Sequence, residues 1–283
     1  MGPTAPTWGA FLLYAAATFA AFGYLWSKDA RASRAMLVLL ALGVLLHLAG
    51  FGLLLSLFWS YPENRWYLPI TSFHGALSFI GLALAVAFLA VESSHRLGVL
   101  GAFVLPLVAL ATGAAVTWTE PTLAPLDERL RSYWLNIHPV LLMTAYAVMA
   151  NGFGVGLALL LQERQIKSRK PSELCYRLPS LDELDRLLGN IVAFALPVLV
   201  LGLAVGMVWS HHAWGRVWSW EPKQTLGALT ALVYGAYLWL RVARGQRGAK
   251  AVYLSMAGFA CVLLTLFGAE LFSGRHGYLG GAR

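Results

Sequence analysis

The sequence predicts an all-α integral membrane protein of about eight transmembrane helices, with both termini outside and a short interfacial helix on the outer side. Two observations carry that prediction. Of the 283 residues, 59% are apolar and 12% charged, where soluble globular proteins carry about 45–50% and roughly 25%. The apolar residues also gather into runs of about 20, the length that crosses a bilayer, separated by short charged loops. This balance excludes a soluble enzyme, a disordered chain and a disulfide-knit secreted domain. Of the two cysteines, Cys175 lies in a charged loop and Cys261 deep in an apolar run, so they form no Cys-x-x-Cys pair and no disulfide framework.

In chain order the runs lie near 8–26, 35–59, 70–91, 97–117, 138–161, 189–210, 223–241 and 250–271. The first is expected to remain as a helix, because no basic residue precedes it and no clear small-residue cleavage site follows it. The net charge of +8 does not form one basic patch, so no nucleic-acid partner is expected. Fourteen of the 21 basic residues fall in segments 28–34, 92–96, 162–188 and 241–250. The remaining seven fall in 60–69, 118–137, 211–223 and 272–283. The bias puts the first set in the cytoplasm and both termini outside.

Two loops carry more than a turn. Ser180-Leu181-Asp182-Glu183 reads as a capping box, and Leu181, Leu184, Leu187 and Leu188 then share one face of a short amphipathic helix leading into the sixth span. On the outer side, after Pro125, the stripe Leu126, Leu130, Trp134 and Ile137 suits a helix at the membrane surface, with Asp127, Glu128, Arg129 and Arg131 off the stripe. No internal repeat divides the chain, and residues 1–283 read as a single membrane domain.

The chemistry concentrates in Trp214-Gly215-Arg216-Val217-Trp218-Ser219-Trp220-Glu221-Pro222-Lys223, between spans six and seven. Three tryptophans in seven residues exceed the one or two that anchor a helix end in an aromatic belt. Gly215 permits close backbone approach, and Arg216 and Lys223 supply positive charge. Pro222 suits a first helical position, and Glu221 stands at the positive end of the helix that follows. A flat aromatic shelf rimmed by cations fits a large planar apolar ligand with anionic side groups. Haem with its two propionates is such a ligand, and a histidine pair can hold its iron. Two histidines share the shelf's side: His138 at the mouth of span five and His276 beyond span eight, beside Arg275. His211 and His212 could line the shelf or meet headgroups. His74 lies about one turn inside span three, and His95 in a cytoplasmic loop. His47, near the middle of span two, is read as a neutral imidazole bonded to a neighbouring helix.

The run Trp-Gly-x-x-Trp-x-Trp-acid-Pro-Lys resembles the tryptophan-rich motif of the cytochrome c assembly proteins, a haem-handling family, and especially its CcsA/ResC branch. Ser132-Tyr133-Trp134-Leu135-Asn136-Ile137-His138 resembles the family's segment with the first external histidine. Phe267-Gly268-Ala269-Glu270-Leu271-Phe272-Ser273-Gly274-Arg275-His276-Gly277-Tyr278 resembles the segment with the second. The resemblance spans roughly residues 65–279. It implies that His138 and His276 are the axial ligands of haem b iron and that Trp214, Gly215, Trp218, Trp220 and Glu221 hold one porphyrin face. Arg216, Lys223 or Arg275 would meet the propionates, arginine through charge-assisted bonds. It further implies a CcsB/ResB-type partner, an apocytochrome c bearing Cys-x-x-Cys-His, and a place in the bacterial cytoplasmic membrane with the haem site on its outer face.

Four positions depart from the family pattern. Glu221 stands where Asp is usual and Gln224 where Glu is usual. Thr71-Ser72-Phe73-His74-Gly75 replaces Thr-Asn-x-Tyr-Glu. Trp239 occupies the place of a membrane histidine associated with an inner haem site. No cysteine nucleophile and no Ser/His/Asp arrangement lies near the shelf, so no catalytic residue is expected, and any thioether chemistry would rest on positioning. The leading expectation is a haem-handling subunit of a cytochrome c synthase. The alternatives are a HemX-like non-enzymatic haem-binding regulator or chaperone and, last, a small-molecule transporter, in which Pro106 and Pro197 would kink spans four and six.

Overall fold

The computed structural model describes residues 2–168 and 171–268. Eight helices in it are long and apolar enough to cross a membrane, and no strand occurs among the described residues. They are α1 (Ala5–Ser27), α2 (Ala30–Phe58), α3 (Phe73–His95), α4 (Gly101–Trp118), α5 (Trp134–Lys167), α6 (Leu181–Trp214), α7 (Pro222–Arg244) and α8 (Ala249–Leu263), the last running into a π-helical turn, Leu264–Gly268. The predicted all-α membrane fold with eight spans is therefore observed, and the chain is a multi-pass membrane protein.

Local chemistry starts the helices where the sequence allows it. Asp29 accepts from Arg31 N at 2.8 Å, Ser72 from Gly75 N at 3.1 Å and Ser180 from Glu183 N at 3.3 Å, each satisfying a first-turn N–H that the helix cannot. The segment expected as a separate amphipathic helix is continuous with the sixth span in the 34-residue α6. At 1.5 Å per residue, α5 and α6 each run about 51 Å, well beyond the ~30 Å hydrocarbon core. The extra turns of α6 bury Leu184, Leu187 and Leu188.

The helices form two groups, with α1 packed on α2 and α4, α3 on α4, α5 on α6 and α8, and α7 on α8 and α6. The groups join where α3 and α4 pack on α5. One core runs through both, with Tyr14, Phe88, Leu105, Leu184 and Tyr237 among its buried side chains. Other large apolar residues face outward, such as Phe19, Leu110, Phe194 and Leu232, as lipid contact requires. Polar groups inside the first group are paired across helices. His47 is fully buried, with Nδ1 3.3 Å from Tyr14 Oη in α1 and Nε2 2.8 Å from Ser78 Oγ in α3, as read from the sequence. His74 Nδ1 donates to the Ala115 carbonyl in α4 at 2.8 Å.

The end of the bundle that carries the tryptophan-rich segment, here the shelf end, is capped by residues 59–72 and 119–133. Asn64, fully buried, donates from Nδ2 to the Ala124 carbonyl at 2.9 Å and accepts from Leu126 N at 2.8 Å. Asn136 in α5 accepts from Leu68 N at 3.0 Å and donates to the Trp66 carbonyl at 2.8 Å. The stripe expected on one interfacial helix is divided. Glu128–Leu130 is a single 3-10 turn, and Trp134 and Ile137 belong to α5. Asn64 occupies the backbone groups of Ala124 and Leu126, and Pro121 and Pro125 lack N–H donors.

The far end is latched by charge. Arg241 of α7 places Nη2 2.7 Å from Asp185 Oδ2 and 2.9 Å from the Asp185 carbonyl, both on α6. Gly248 N lies 3.4 Å from Asp185 Oδ1, and Ala249 N donates to Glu163 Oε2 of α5 at 3.0 Å. Gly189 makes room for the latch, since a Cβ there would come within 2.5 Å of Arg241 Nε. Both partners of the ion pair are largely buried, at 15% and 8% side-chain exposure. Asp185→Ala would strand Arg241, and breaking such a pair costs about 3–5 kcal/mol. The expected outcome is a clearly lowered Tm in detergent by tryptophan fluorescence or light scattering, and an unchanged Tm would refute the latch.

Candidate functional site

A cavity of about 240 Å³ opens at the shelf end between α5, α6, α7 and the π-helical turn. His138, Leu142 and Tyr146 project into it from α5, and their spacing of four puts them on one helical face. Leu203, Met207, Ser210 and Trp214 do the same from α6, and Lys223, Gln224 and Ala228 from α7. Thr265 and Leu266 close it from the π-helical turn, a kind of irregularity that is frequent at functional sites.

His138 is the best-defined group in the cavity wall. It lies one turn inside α5 rather than at its boundary. Its Nδ1 sits 2.8 Å from the Gly202 carbonyl of α6. A carbonyl oxygen only accepts, so Nδ1 carries a proton, and in the neutral ring Nε2 is then the nitrogen that can ligate a metal. The ring rests on Gly206, where a Cβ would come within 2.6 Å of Nδ1. The Trp209 ring lies 6.1 Å away, and Trp214 5.1 Å beyond that.

The tryptophan-rich segment is built by three devices. Gly215 ends α6 in the left-handed region at φ +68°, with its N–H on the His211 carbonyl at 2.8 Å, a cap glycine adopts without strain. Ser210 Oγ then donates to the Arg216 carbonyl at 2.7 Å and folds the chain back. At the other end Gln224, in the first turn of α7, accepts from Ser219 N at 2.9 Å and Ser219 Oγ at 3.1 Å. Trp218 is thereby held half-buried on the cavity wall, and its Nε1 is buried without an acceptor.

The expected site residues divide. His138, Trp214, Trp218 and Lys223 line one cavity. Gly215 shapes the turn, and Glu221 is the N-cap of α7. Arg216 is exposed and does not reach the cavity wall. Trp220 is 78% exposed and sits at φ +56°, a backbone state uncommon for a bulky side chain. Its ring stands edge-on to Trp218 at 5.7 Å and outside the cavity lining. His276 and Arg275 lie outside the described residues. His211 and His212 are exposed on the last turn of α6, and neither lines the cavity. Trp239 is 56% exposed, with the Arg244 guanidinium 5.3 Å from its ring, so it faces out of the bundle.

Sequence reasoning missed Trp209, Tyr146, Ser210 and the role of Gln224. The four-residue spacing of His138, Leu142 and Tyr146 was a legible signal for one of them. The Gln224 grip was not, because it depends on how the loop folds back onto α7. Among the described residues lining the cavity there is no carboxylate and one lysine. Nor do three or more His, Cys, Asp or Glu among the described residues come together to hold a bare metal ion. A metal bound here would have to bring most of its own ligands. The residues fit such a group: an imidazole with Nδ1 engaged by a carbonyl for the metal, indole faces for an apolar plane, and a buried indole N–H with a lysine for anionic substituents.

Residues 70–276 match the family described as Cytochrome C assembly protein. A cytochrome c biogenesis protein CcsA from Gloeothece citriformis is 29% identical over 267 residues, covering 76% of this chain and 81% of its own. CcsA from Prochlorococcus marinus is 32% identical over 251 residues, covering 76% and 78%. The solved structure of the cytochrome c haem lyase CcmF superposes with a TM-score of 0.74 at 18% identity, over 94% of this chain and 47% of that one. The chain thus spans about half of CcmF, and that likeness concerns the fold. With the match running through His138 and the whole tryptophan segment, the chain belongs to the cytochrome c assembly protein family, with CcsA-type proteins among its relatives.

Proposed function

We propose that the protein is a CcsA/ResC-like subunit of cytochrome c biogenesis that holds haem b, as cargo, at the outer face of a bacterial cytoplasmic membrane for thioether attachment to apocytochrome c. The observation that carries this reading is the His138 imidazole, oriented by Gly202 and Gly206, in an apolar cavity walled by Trp214 and Trp218. The relatives named CcsA support the pathway, and the basic loops at the far end support the orientation.

In this reading His138 is one axial ligand and His276 the other. Trp214 and Trp218 cover one porphyrin face and keep water from it. Lys223 meets a propionate inside the cavity, while Arg216 and Arg275 serve the more exposed one. Trp220, Gly215 and Glu221 belong to the same shelf, with Trp220 at its solvent edge. Haem supplies the vinyl groups to which the apocytochrome's Cys-x-x-Cys-His thiols add, and this chain contributes position rather than a nucleophile. A CcsB/ResB-type membrane protein would complete the synthase.

A HemX-like haem-binding regulator is the second reading. The outward-facing Trp239 favours it, because α7 turns Thr230, Tyr234 and Tyr237 inward and no histidine. Complementation of a cytochrome c synthase defect, together with a ResB-like partner, separates the two: growth on restored cytochrome c supports the synthase subunit, and none supports the regulator.

The direct test is the absorption spectrum of the purified protein, oxidised and reduced. Wild type is expected to show the Soret and α/β bands of bis-histidine haem, and His138→Ala to lose most bound haem. Gly206→Val keeps His138 but puts a side chain where its ring lies. It is expected to weaken haem binding by about 10–100-fold, the range seen when a ligand's supporting contacts are lost. Spectra and haem content equal to wild type in both variants would refute the site.

A further inference from the structure

A second depression lies at the far end of the bundle, between the last two turns of α5 and the first two of α8. This open groove has a volume of about 720 Å³, and its lining includes Leu160, Leu161, Glu163, Arg164, Lys167 and Tyr253. Its two sides differ in chemistry, and the boundary between them falls where a membrane span begins. Glu163 Oε2 accepts from the N–H of Ala249, the first residue of α8, at 3.0 Å, so the carboxylate marks the level at which that apolar run starts. Leu160 and Leu161 lie within one turn of it toward the bundle centre, and Tyr253, 62% exposed, stands one turn into α8. Arg164 and Lys167 lie on the other side, Lys167 about 6 Å further along α5 at ~1.5 Å per residue. The groove is apolar toward the hydrocarbon and cationic toward the headgroups.

The charges in the groove are not equally committed. Lys167 is ion-paired with Glu163 Oε1, and Oε2 holds the Ala249 N–H, so both oxygens of that carboxylate are engaged within the protein. Arg164 is exposed, and no hydrogen bond or ion pair joins it to another described residue. The segments that supply the polar side, 162–188 and 241–250, carry ten basic residues against five acidic ones, and of the acidic ones Asp185 is tied to Arg241. A groove on the outer surface of a membrane bundle fills with lipid. This one is amphipathic in the same sense and at the same depth as a phospholipid, and its uncommitted charge is positive. Basic pockets between helices at the membrane surface suit anionic headgroups, and the planar fork of an arginine matches two phosphate oxygens.

We propose that the groove between α5 and α8 binds an anionic phospholipid, its phosphate on Arg164 beside Lys167 and an acyl chain over Leu160, Leu161 and Tyr253. The site shares no lining residue with the shelf cavity, so it stands apart from the haem reading.

The test is native mass spectrometry of the full chain, purified in detergent and titrated with dioleoyl phosphatidylglycerol and with dioleoyl phosphatidylcholine. One cation near an anionic headgroup is worth about fivefold in affinity, and Lys167 contributes less because Glu163 neutralises part of it. Wild type is therefore expected to bind phosphatidylglycerol about tenfold more tightly than phosphatidylcholine. Arg164→Gln is expected to lose about fivefold of that preference, the further change Lys167→Gln to remove the rest, and Arg164→Lys to keep most of it. Arg31→Gln with Arg34→Gln takes the same charge from the same end of the bundle, on α2 and outside the groove, and is expected to leave the preference unchanged. Glycerol 3-phosphate in large excess is expected not to displace the lipid, because it has no acyl chain to fill the apolar side. Equal affinity of wild type for the two lipids would overturn the proposal, as would an equal loss in the α2 pair or displacement by glycerol 3-phosphate. A wild-type dimer that Arg164→Gln dissociates would put a second copy of the chain in the groove and overturn it too.

Discussion

The close packing of α5 on α6 governs the shelf end. Two glycines of α6, Gly202 and Gly206, lie one turn apart against Leu142 and His138, and a Cβ at Gly202 would stand 2.7 Å from the Leu142 side chain. Small residues let helix backbones approach where lipid offers no hydrophobic drive for association. Here the approach has a chemical result. It brings the Gly202 carbonyl to Nδ1 of His138, and the same contact that packs the helices selects the tautomer. The cavity lies beside this contact, and α7 and the π-helical turn complete its wall.

The bilayer imposes a second rule, that polar groups inside it find partners within the protein. The two helix groups meet it differently. In the first, neutral side chains pair across helices: His47 with Tyr14 and Ser78, His74 with the Ala115 carbonyl. In the second, a largely buried ion pair lies at the far end, where Asp185 ties Arg241 and the start of α8 together. At the shelf end, the described residues of the cavity wall include one lysine and no carboxylate. An ion-paired far end and a cavity at the shelf end give the second group two chemically different ends.

Much of the architecture was legible because a membrane span announces itself by length and hydropathy. The eight runs became the eight helices, and Ser180 capped α6 as its capping box implied. Single-helix patterns were less secure where loops compete for backbone groups. The stripe from Leu126 to Ile137 has helical spacing, yet Asn64, some sixty residues earlier, takes the Ala124 carbonyl and the Leu126 N–H. Local periodicity could not reveal that competitor. The boundary of α5 shifted for a related reason, because Asn136 serves the loop at Trp66 and Leu68 from inside the helix.

For the site, residue types were readable and their facing was not. Sequence alone determined that tryptophans, cations and His138 gather at one end of the bundle, since helix parity and span length dictate which loop ends share a side. Only the tertiary structure decided that Trp214, Trp218 and Lys223 share a cavity with His138 while Arg216 and Trp220 turn outward. Those choices depend on the left-handed turn at Gly215, the Ser210 and Gln224 bonds that fold the loop, and the glycine contact between α5 and α6. Each joins residues through space, and the direction a loop side chain takes is set by such contacts rather than by any period in the chain.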